Sequence, residues 1–454
     1  MKPCKIFVPC GAVGPGIDPV SFRCGVELHP DIISADAGST DSGPFYLGTG
    51  NCKYARASVK ADMRLILKAA DELHIPVTIG SAGTCGTDRS VDELADIVYE
   101  IAQEEGIDVK VARIYTEQNP LEMKVRYEKG DIFALNGAPD ISAETFEECS
   151  HIVGLAGIEP FVEAFQKGAN VILCGRSTDT AVIAAYPIMN GCHEALSWHA
   201  AKTAECGALC TTNPMDGGVF LTIDEESFTV QSTSVSGSCT AYSIFAHLLY
   251  ENANPLKLTE PGVVIDTSSS VYEELPGGIV RVTGTTLTHT APTMKLEGSG
   301  KCGFQTIAMV GIRDREIVKN PQKWMDMLQA FIQKKLDKLG FERSQYSTAM
   351  SAYGYNATYR GPVPEEYVPN EILVMLRVNA KTQEMATNIA RIFNPYLLHL
   401  PLHKDKPLPS FAFPFSPAEL ERGEIFEFKL YHCVKLKNPC ELIRIVYDFE
   451  EGKV

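Results

Sequence analysis

The first 190 residues alternate short apolar runs with stretches of helical periodicity. The apolar runs predict strands at Lys5–Val8, Ile32–Ala35, Ile75–Ile79, Val109–Ile114, His151–Leu155 and Asn170–Cys174. Ala61–Leu73 and Val91–Glu104 have helical spacing, and Ser90 with Glu93 fits a capping box before the second helix. Because strands that alternate with helices imply βαβ crossovers, we predict an α/β domain over residues 1–215, with a mostly parallel sheet flanked by helices.

The pattern changes after residue 216. Runs rich in β-branched residues predict strands at Gly217–Ile223, Phe228–Val235, Gly262–Thr267, Ile279–Thr288 and Phe304–Gly311. Gly237–Glu251 interrupts them with a helical pattern, and Gln322–Leu339 predicts a linking helix. We therefore predict a β-rich module over residues 216–340.

The last part of the chain, residues 341–454, mixes both patterns again. Strand-like runs lie at Glu371–Val378, Tyr396–Leu400, Phe426–Val434 and Leu442–Phe449, and Thr382–Phe393 has helical spacing. This arrangement predicts a small α+β domain of ferredoxin-like type.

Composition and charge narrow the class of protein. The chain has 454 residues, of which 45% are hydrophobic and 22% charged, as is typical of globular proteins. The net charge of −16 disfavours nucleic acid and anionic membranes as partners. The first apolar run, Ile6–Pro9, is too short for a signal segment, and no uncharged run approaches the ~20 residues of a membrane-spanning helix. We expect a cytoplasmic protein that forms a homo-oligomer.

The fourteen cysteines do not follow the spacing of a metal site. There is no CxxC pair, and the tightest spacings are Cys206/Cys210, Cys4/Cys10 and Cys433/Cys440. Structural zinc and iron–sulfur sites use closer ligand pairs, so we interpret the cysteines as small buried side chains in the reduced state. No metal ligands are assigned, and the cofactor is left open, with Mg²⁺ as one option.

Glycine-rich loops with Ser, Thr and Asp follow several predicted strands, including Pro9–Gly16. In parallel sheets, ligands bind beyond the carboxyl ends of the strands, and glycine lets backbone N–H groups approach an anion. The loops therefore predict a site for a small anionic substrate: a carboxylate, a phosphate or part of an acyl-CoA. The predicted substrate-binding residues are Ser39, Thr40, Gly80, Ser81, Gly83, Thr84, Arg176, Ser177 and Thr178. Any one of these loops is also compatible with an ordinary turn.

Four residues are predicted to be catalytic: Asp179, Asp36, His199 and Glu205. Arg176 follows a strand and is suited to bidentate contact with a carboxylate, and Asp179 opens the next helix as a base or metal ligand. The alternative is that Asp179 caps the helix and pairs with Arg176. Asp36 and Asp41 flank one turn, and two carboxylates in one loop are suited to acid–base work or Mg²⁺ binding, but aspartates also form ordinary turns. We interpret Asp41 as such a turn residue and Asp36, at the strand end, as the candidate.

The other two candidates lie near the end of a later helix. His199 shares a helical face with Thr203 and Cys206, and Glu205 lies almost adjacent. His199 and Glu205 are therefore predicted as an acid and a base. The alternative is that His199 is a hydrogen-bonded structural residue.

Several segments together resemble the acyclic terpene utilisation (AtuA-like) family. They are Ile33–Gly38, Thr78–Gly83, Cys174–Ala181, Glu205–Gly207 with Asp216–Gly218, and Pro292–Leu296. The similarity spans roughly residues 30 to 315, whereas the N-terminus lacks the Gly-Asp loop of typical members. Residues 435–438, Lys-Leu-Lys-Asn, are similar to a stretch of the small partner protein of this family. The resemblance implies a role in the breakdown of branched acids.

Three functions follow from these observations. The leading one is an enzyme acting on a small carboxylic acid or its CoA thioester by hydration/dehydration or isomerisation, because no redox-cofactor signature accompanies the polar loops. The second is a non-catalytic acyl-CoA-binding subunit of a degradative complex. The third is a metal-dependent hydrolase.

Overall fold

A computed structural model describes residues 2–250, 252, 254–364, 366–403, 405 and 411–449. Two compact units make up the chain: Met1–Gly300 with Phe428–Val454, and Lys301–Glu427. The three-domain division at residues 215 and 340 stays a prediction.

The strands of the described residues, in chain order, are β1 Cys4–Val8, β2 Ile32–Asp36, β3 Val77–Gly80, β4 Val111–Tyr115, β5 Ile132–Ala134, β6 His151–Gly154, β7 Val171–Cys174, β8 Val219–Ile223, β9 Phe228–Ser232, β10 Lys257–Glu260, β11 Val263–Asp266, β12 Val271–Leu275, β13 Ile279–Thr283, β14 Thr286–His289, β15 Thr293–Ile312, β16 Tyr346–Tyr353, β17 Ile372–Ala380, β18 Phe411–Ala412, β19 Glu419–Lys435 and β20 Arg444–Tyr447.

The α-helices are α1 Pro19–Glu27, α2 Phe45–Thr49, α3 Arg56–Leu73, α4 Asp88–Glu105, α5 Pro120–Glu128, α6 Thr145–Glu148, α7 Glu159–Gln166, α8 Asp179–Met189, α9 Glu194–Ala204, α10 Ala241–Leu248, α11 Arg315–Lys319, α12 Pro321–Lys338 and α13 Gln383–His399. Among the residues described, no helix combines the length and the apolar character that crossing a membrane requires.

A ten-stranded sheet runs through the first unit, in the order β12-β13-β9-β8-β1-β2-β3-β7-β4-β20. Its middle strands β1, β2, β3, β7 and β4 pair in parallel, as the βαβ pattern predicts. The strands to either side pair antiparallel, so the α/β prediction is confirmed while the sheet as a whole is mixed. Between β8 and β9 the chain has four residues, which is too short for a crossover and closes a hairpin instead.

Helices cover both faces of the parallel strands and give the unit its core. On one face, Met63 and Ile66 of α3 and Leu94 of α4 pack against the sheet. On the other face, Ala184 of α8 and Trp198 of α9 pack against it. The central strands β2, β3 and β7 are buried along their whole length, which explains their continuous apolar sequence.

The helix α4 begins one turn earlier than the sequence predicts. Thr87, rather than Ser90, caps the helix by accepting a hydrogen bond from the backbone N–H of Ser90. Glu93 does not close a capping box, because its carboxylate bonds to Arg89 and Cys52. The prediction that Ser90 is the cap is wrong, because the helix already begins at Asp88 and Ser90 lies inside its first turn.

The second unit places α12 and α13 against antiparallel strands. β17 pairs with β16 on one side and with the second half of β15 on the other. Buried Trp324, Leu328, Ile389 and Phe393 join the helices to the sheet. The strand predicted at Tyr396–Leu400 is wrong: α13 continues to His399, because Leu397 extends the buried stripe four residues beyond Phe393.

Candidate functional site

The loops that follow β2, β3 and β7 lie at one edge of the sheet. Asp36 is the last residue of β2, Gly80 the last residue of β3, and Arg176 follows β7 by two positions. The three strands are adjacent and parallel, so their carboxyl ends lie side by side. The chain thus brings Asp36, Ser81 and Arg176 together as the loop pattern predicts.

The turn after β3 needs glycine and unusual backbone angles. A Cβ on Gly80 would lie 2.3 Å from Val182 and 2.7 Å from both Asp36 Oδ1 and Ser177 Oγ. Ser81 and Thr84 have φ angles of 46° and 78°, a region that side-chain-bearing residues rarely adopt. Strained backbone of this kind is concentrated at functional sites.

Arg176 is held on several sides inside the protein. Its Nε donates to Glu297 Oε2 at 3.0 Å, and its Nη1 donates to Ser81 Oγ at 2.7 Å. Its backbone N–H donates to Thr116 Oγ1 at 2.7 Å. The contact from Nη1 to Asp179 Oδ1 is longer, at 3.9 Å. The structure therefore anchors Arg176 primarily through Glu297 and Ser81.

Glu297 is the buried counter-ion of this arginine. Its Oε1 lies 3.1 Å from Lys295 Nζ, and its Oε2 also accepts a hydrogen bond from Thr40 Oγ1 at 3.2 Å. Burial by itself would raise the pKa of Glu297, but Arg176 and Lys295 outweigh burial and lower that pKa to about 2. Glu297 thus remains a carboxylate at all physiological pH values.

The pKa values of Asp36 and Asp179 are both raised, whereas that of Glu297 is lowered. Asp36 Oδ2 accepts the Gly38 N–H at 2.8 Å, whereas Oδ1 is buried and makes no hydrogen bond of standard geometry within the described residues. Burial raises the pKa of Asp36 to about 6, although Arg176 and, through a hydrogen bond, Ser81 act to lower it. Burial, followed by the charge of Asp36, raises the pKa of Asp179 well above its usual range. The two carboxyls therefore titrate as an interacting pair.

Asp179 is not the cap of its helix. Thr178 caps α8, with its side chain accepting from the N–H of Ala181 at 3.2 Å. The side chain of Asp179 is 28% exposed, which makes it the more accessible member of the carboxyl pair. The alternative in which Asp179 acts as a helix cap is therefore excluded by this geometry.

A second cluster lies beside the first and includes Glu205. Lys202 Nζ is 2.8 Å from Glu205 Oε1 and 3.7 Å from Glu260 Oε1. Thr180 Oγ1 lies 2.6 Å from Glu205 Oε2 and 2.9 Å from Glu260 Oε1. Burial raises the pKa of Glu260, and the charges of Lys202 and Glu205 act on it in opposite directions. The charge of Glu205 also acts on Asp179, which links the two clusters electrostatically.

His199 lies in a different environment. Its Nδ1 is 2.7 Å from Thr285 Oγ1, its Nε2 is 3.2 Å from the hydroxyl of Tyr272, and its ring packs edge-on against Phe228. Burial lowers the pKa of His199 to about 3, so the ring is neutral at physiological pH. The hydrogen bonds of the His199 ring go to Thr285 and Tyr272, so the structure does not include this histidine in the hydrogen bonds of either cluster.

The remaining predicted binding residues have defined positions. Ser39 caps the short 3-10 helix Thr40–Ser42, and Thr84 Oγ1 donates to the carbonyl of Ala37 at 3.4 Å. Gly83 has a φ angle of 63°, and a Cβ there would lie 2.5 Å from Cys52 Sγ. Ser177 Oγ is buried and has no hydrogen-bond partner among the described residues. These loops thus hold one another in place and leave Asp36 Oδ1 and Ser177 Oγ unsatisfied.

The first glycine-rich loop is already occupied by a side chain of the protein. Asp62 Oδ2 accepts the N–H groups of Gly14 and Gly16 at 2.8 and 3.2 Å, and Oδ1 accepts that of Ile17 at 2.9 Å. An internal carboxylate therefore satisfies the donors that the sequence offers to a substrate anion in Pro9–Gly16.

The sequence alone did not predict two of the charged residues at the site, Glu297 and Glu260. Glu297 follows Lys295 by two positions in β15, a spacing that places both side chains on one face of a strand. That pattern was available in the sequence, whereas nothing local distinguishes Glu260 from a surface turn residue.

The described residues do not form a metal site of the usual kind. Among the described residues, no group of three or more His, Cys, Asp or Glu side chains is arranged to hold a metal ion. The cysteines of the same residues form no disulfide.

The fold and the site define an α/β protein with buried acidic and basic side chains clustered at the carboxyl edge of its parallel strands. The model of the acyclic terpene utilisation family AtuA matches residues 46–402. The chain therefore belongs to this family, as the sequence resemblance predicts. No curated protein and no solved structure matches it.

Proposed function

We propose that this protein is an enzyme of acyclic terpene utilisation that acts on a small carboxylic acid or its CoA thioester. The reaction is a hydration/dehydration or an isomerisation, both of which need one proton removed and another delivered. The observation that carries the proposal is the pair Asp36 and Asp179, two carboxyls with raised pKa values beside a fixed arginine. Acid–base catalysis works best with groups that titrate near the operating pH.

Each residue has a role in this proposal. Asp36, with a pKa of about 6, removes a proton next to the substrate carbonyl, and Asp179 delivers a proton to the departing or accepting group. The buried Ser177 hydroxyl is assigned to the developing negative charge. Stabilisation of that charge by backbone N–H groups of the Gly80–Gly83 turn stays a prediction, and the N–H of Ala82 does not take part, because it donates to the carbonyl of Cys174 at 3.0 Å. Direct contact of Arg176 with the substrate carboxylate stays a prediction, because its Nε and Nη1 already bond to Glu297 and Ser81.

The test is an assay of the purified protein on a panel of hydroxy acids, unsaturated acids and their CoA thioesters, with and without Mg²⁺. Turnover is expected, and Asp36→Asn and Asp179→Asn should each reduce kcat by roughly 10²–10⁴-fold. Asp41→Asn is the matched control, since Asp41 is an exposed carboxylate five residues from Asp36. Full activity of both site variants would refute the proposal. Binding of an acyl-CoA without turnover, together with a stoichiometric partner in a pull-down, would instead support a non-catalytic subunit.

The finer features of the architecture are also proposals. We infer that Lys301–Glu427 is a ferredoxin-like domain. The supporting feature is the order of its longer elements, β15-α12-β16-β17-α13-β19, with β17 between β16 and β15; the short α11 and β18 are additions to this order. A homo-oligomer in the cytoplasm is part of the same proposal, and size-exclusion chromatography with light scattering tests the oligomer.

A further inference from the structure

The hydroxyl of Thr180 lies between two carboxyl groups. Its Oγ1 is 2.6 Å from Glu205 Oε2 and 2.9 Å from Glu260 Oε1, and both distances are those of hydrogen bonds. A threonine hydroxyl has a single hydrogen, so it can donate to one carboxylate only. The second short contact needs a hydrogen from the carboxyl group itself. Both contacts are full hydrogen bonds only if one of the two glutamates carries a proton.

The surroundings decide which glutamate that is. Lys202 is 2.8 Å from Glu205 but 3.7 Å from Glu260, so the lysine compensates the charge of Glu205 more directly. Glu260 Oε2 is buried and makes no hydrogen bond of standard geometry within the described residues, which is costly for a carboxylate and far less so for a neutral acid. Burial raises the pKa of Glu260, although Lys202 and, through hydrogen bonds, Thr178 and Thr180 act to lower it. His247 and Asp179 are further titratable groups near Lys202 and Glu205. Burial lowers the pKa of His247, so this histidine supplies no positive charge, and Asp179 is itself an acid.

A charge count over both clusters supports the same assignment. The carboxyl groups are Asp36, Asp179, Glu205, Glu260 and Glu297, and the cations are Arg176, Lys202 and Lys295. With every group ionised, buried negative charges would outnumber positive ones by two. Glu297 and Glu205 have the close cations, so the uncompensated charge falls on Glu260 and on the Asp36–Asp179 pair.

We propose that Glu260 is a protonated carboxylic acid at neutral pH and that Glu260, Thr180 and Glu205 form a proton store for the acid–base pair. Glu260 Oε1–H donates to Thr180 Oγ1, and the Thr180 hydroxyl donates to Glu205 Oε2. In the relay, the Glu260 O–H bond breaks as a new bond to Thr180 forms, and the original Thr180 proton moves to Glu205. The net change is one proton moved from Glu260 to Glu205, with no other reactant.

The link to chemistry rests on the proposed function. Asp179 precedes Thr180 directly, and the charges of Glu205 and Lys202 both act on its pKa. A proton shifted onto Glu205 lowers the negative charge beside Asp179 and makes loss of a proton from Asp179 easier. Glu260 is thus a positioning residue: it acts on Asp179 through Thr180 and Glu205 and does not contact the substrate.

Infrared difference spectroscopy of the full chain tests the protonation state without any assay of activity. At pH 7, Glu260→Gln should remove the carbonyl band of one protonated carboxyl, a band that shifts in D2O. Asp41→Asn, which changes an exposed carboxylate, should leave that band in place. Loss of carboxylate bands alone in Glu260→Gln would show that Glu260 is ionised, and the proposal would be wrong.

Stability supplies a second readout. A raised pKa in the folded state contributes stability that is complete at low pH and is lost as pH rises through the folded pKa. The Tm of Glu260→Gln minus that of the wild type should therefore rise from pH 5 to pH 9. At pH 5 the two Tm values should differ by less than roughly 3 °C. A Tm difference that is constant over this range contradicts the proposal. Should the variant fail to fold, the pH titration of the band in the wild-type protein decides.

Turnover separates this inference from the proposed function. If the enzyme is active, Glu260→Gln should shift the pH profile of kcat and reduce kcat about tenfold with KM unchanged, and Thr180→Ser should restore what Thr180→Val loses. An inactive protein whose infrared spectrum still shows the Glu260 band would refute the reaction while leaving the proton store in place. An active protein with ionised Glu260 would do the reverse.

Discussion

The two compact units differ in the polar side chains they bury. Inside Met1–Gly300 with Phe428–Val454, the buried charged residues include Asp36, Asp62, Arg176, Glu205, Glu260 and Glu297. In Lys301–Glu427, the buried polar residues of the described chain are the neutral Thr306 and Thr387, whose hydroxyls bond to each other at 3.0 Å.

The second unit buries side chains that stabilise its fold, whereas the first unit also buries charged side chains whose removal from water costs free energy. Burying an ion costs several kcal/mol even when it has a partner, so a core that needs only stability stays apolar. Buried, mutually perturbed carboxyls are most common where chemistry or binding occurs. The first unit therefore holds the candidate site, and the second is expected to owe its stability to packing.

The largest expected effect is in the packed core of the second unit. Trp324 of α12 is fully buried, and its ring N–H donates to the carbonyl of Leu400 at 2.9 Å. Trp324→Ala should lower the free energy of unfolding of Lys301–Glu427 by about 3–5 kcal/mol, because it leaves a cavity. Hydrogen exchange of the α12 and α13 amides measures this loss. A loss below about 1 kcal/mol would mean that packing at Trp324 does not hold this unit together.

A smaller effect is expected from the buried ion pair of the first unit. Glu297→Gln removes the negative partner of Arg176 and Lys295 and should cost about 3 kcal/mol, since a buried cation is left short of charge. The chain has two tryptophans, so in a Trp324→Phe background the fluorescence of Trp198 reports unfolding of the first unit alone. An unchanged urea midpoint would show that the buried charges there are not coupled to stability.

The smallest effect is expected from an exposed ion pair of the second unit. Arg343 Nη2 lies 2.6 Å from Asp337 Oδ2, and the two side chains are 68% and 40% exposed. Water and salt screen such pairs, so Arg343→Ala should move Tm by less than roughly 2 °C. Calorimetry of this variant and of Glu297→Gln compares the Tm shift caused by loss of the exposed ion pair with that caused by loss of the buried one. Equal Tm shifts in the two variants would remove the contrast between the units.

Much of the site follows from local pattern. The apolar runs place β2, β3 and β7, and the polar loops after them place Asp36, Ser81 and Arg176 at one edge, because parallel strands share the direction of their ends. The role of Asp179 was less determined, since a first-turn aspartate is also a common cap and only the geometry of Thr178 excludes that role.

The chain by itself therefore determined the alternation of strands and helices and the polar character of one sheet edge, both of which depend on residues close in sequence. Only the tertiary structure decided that Glu297 pairs with Arg176, that Glu260 faces Glu205 across Thr180, and that Asp62 fills the first glycine loop. These partners are tens of residues apart or more, and their interaction depends on burial and distance, which sequence spacing does not encode.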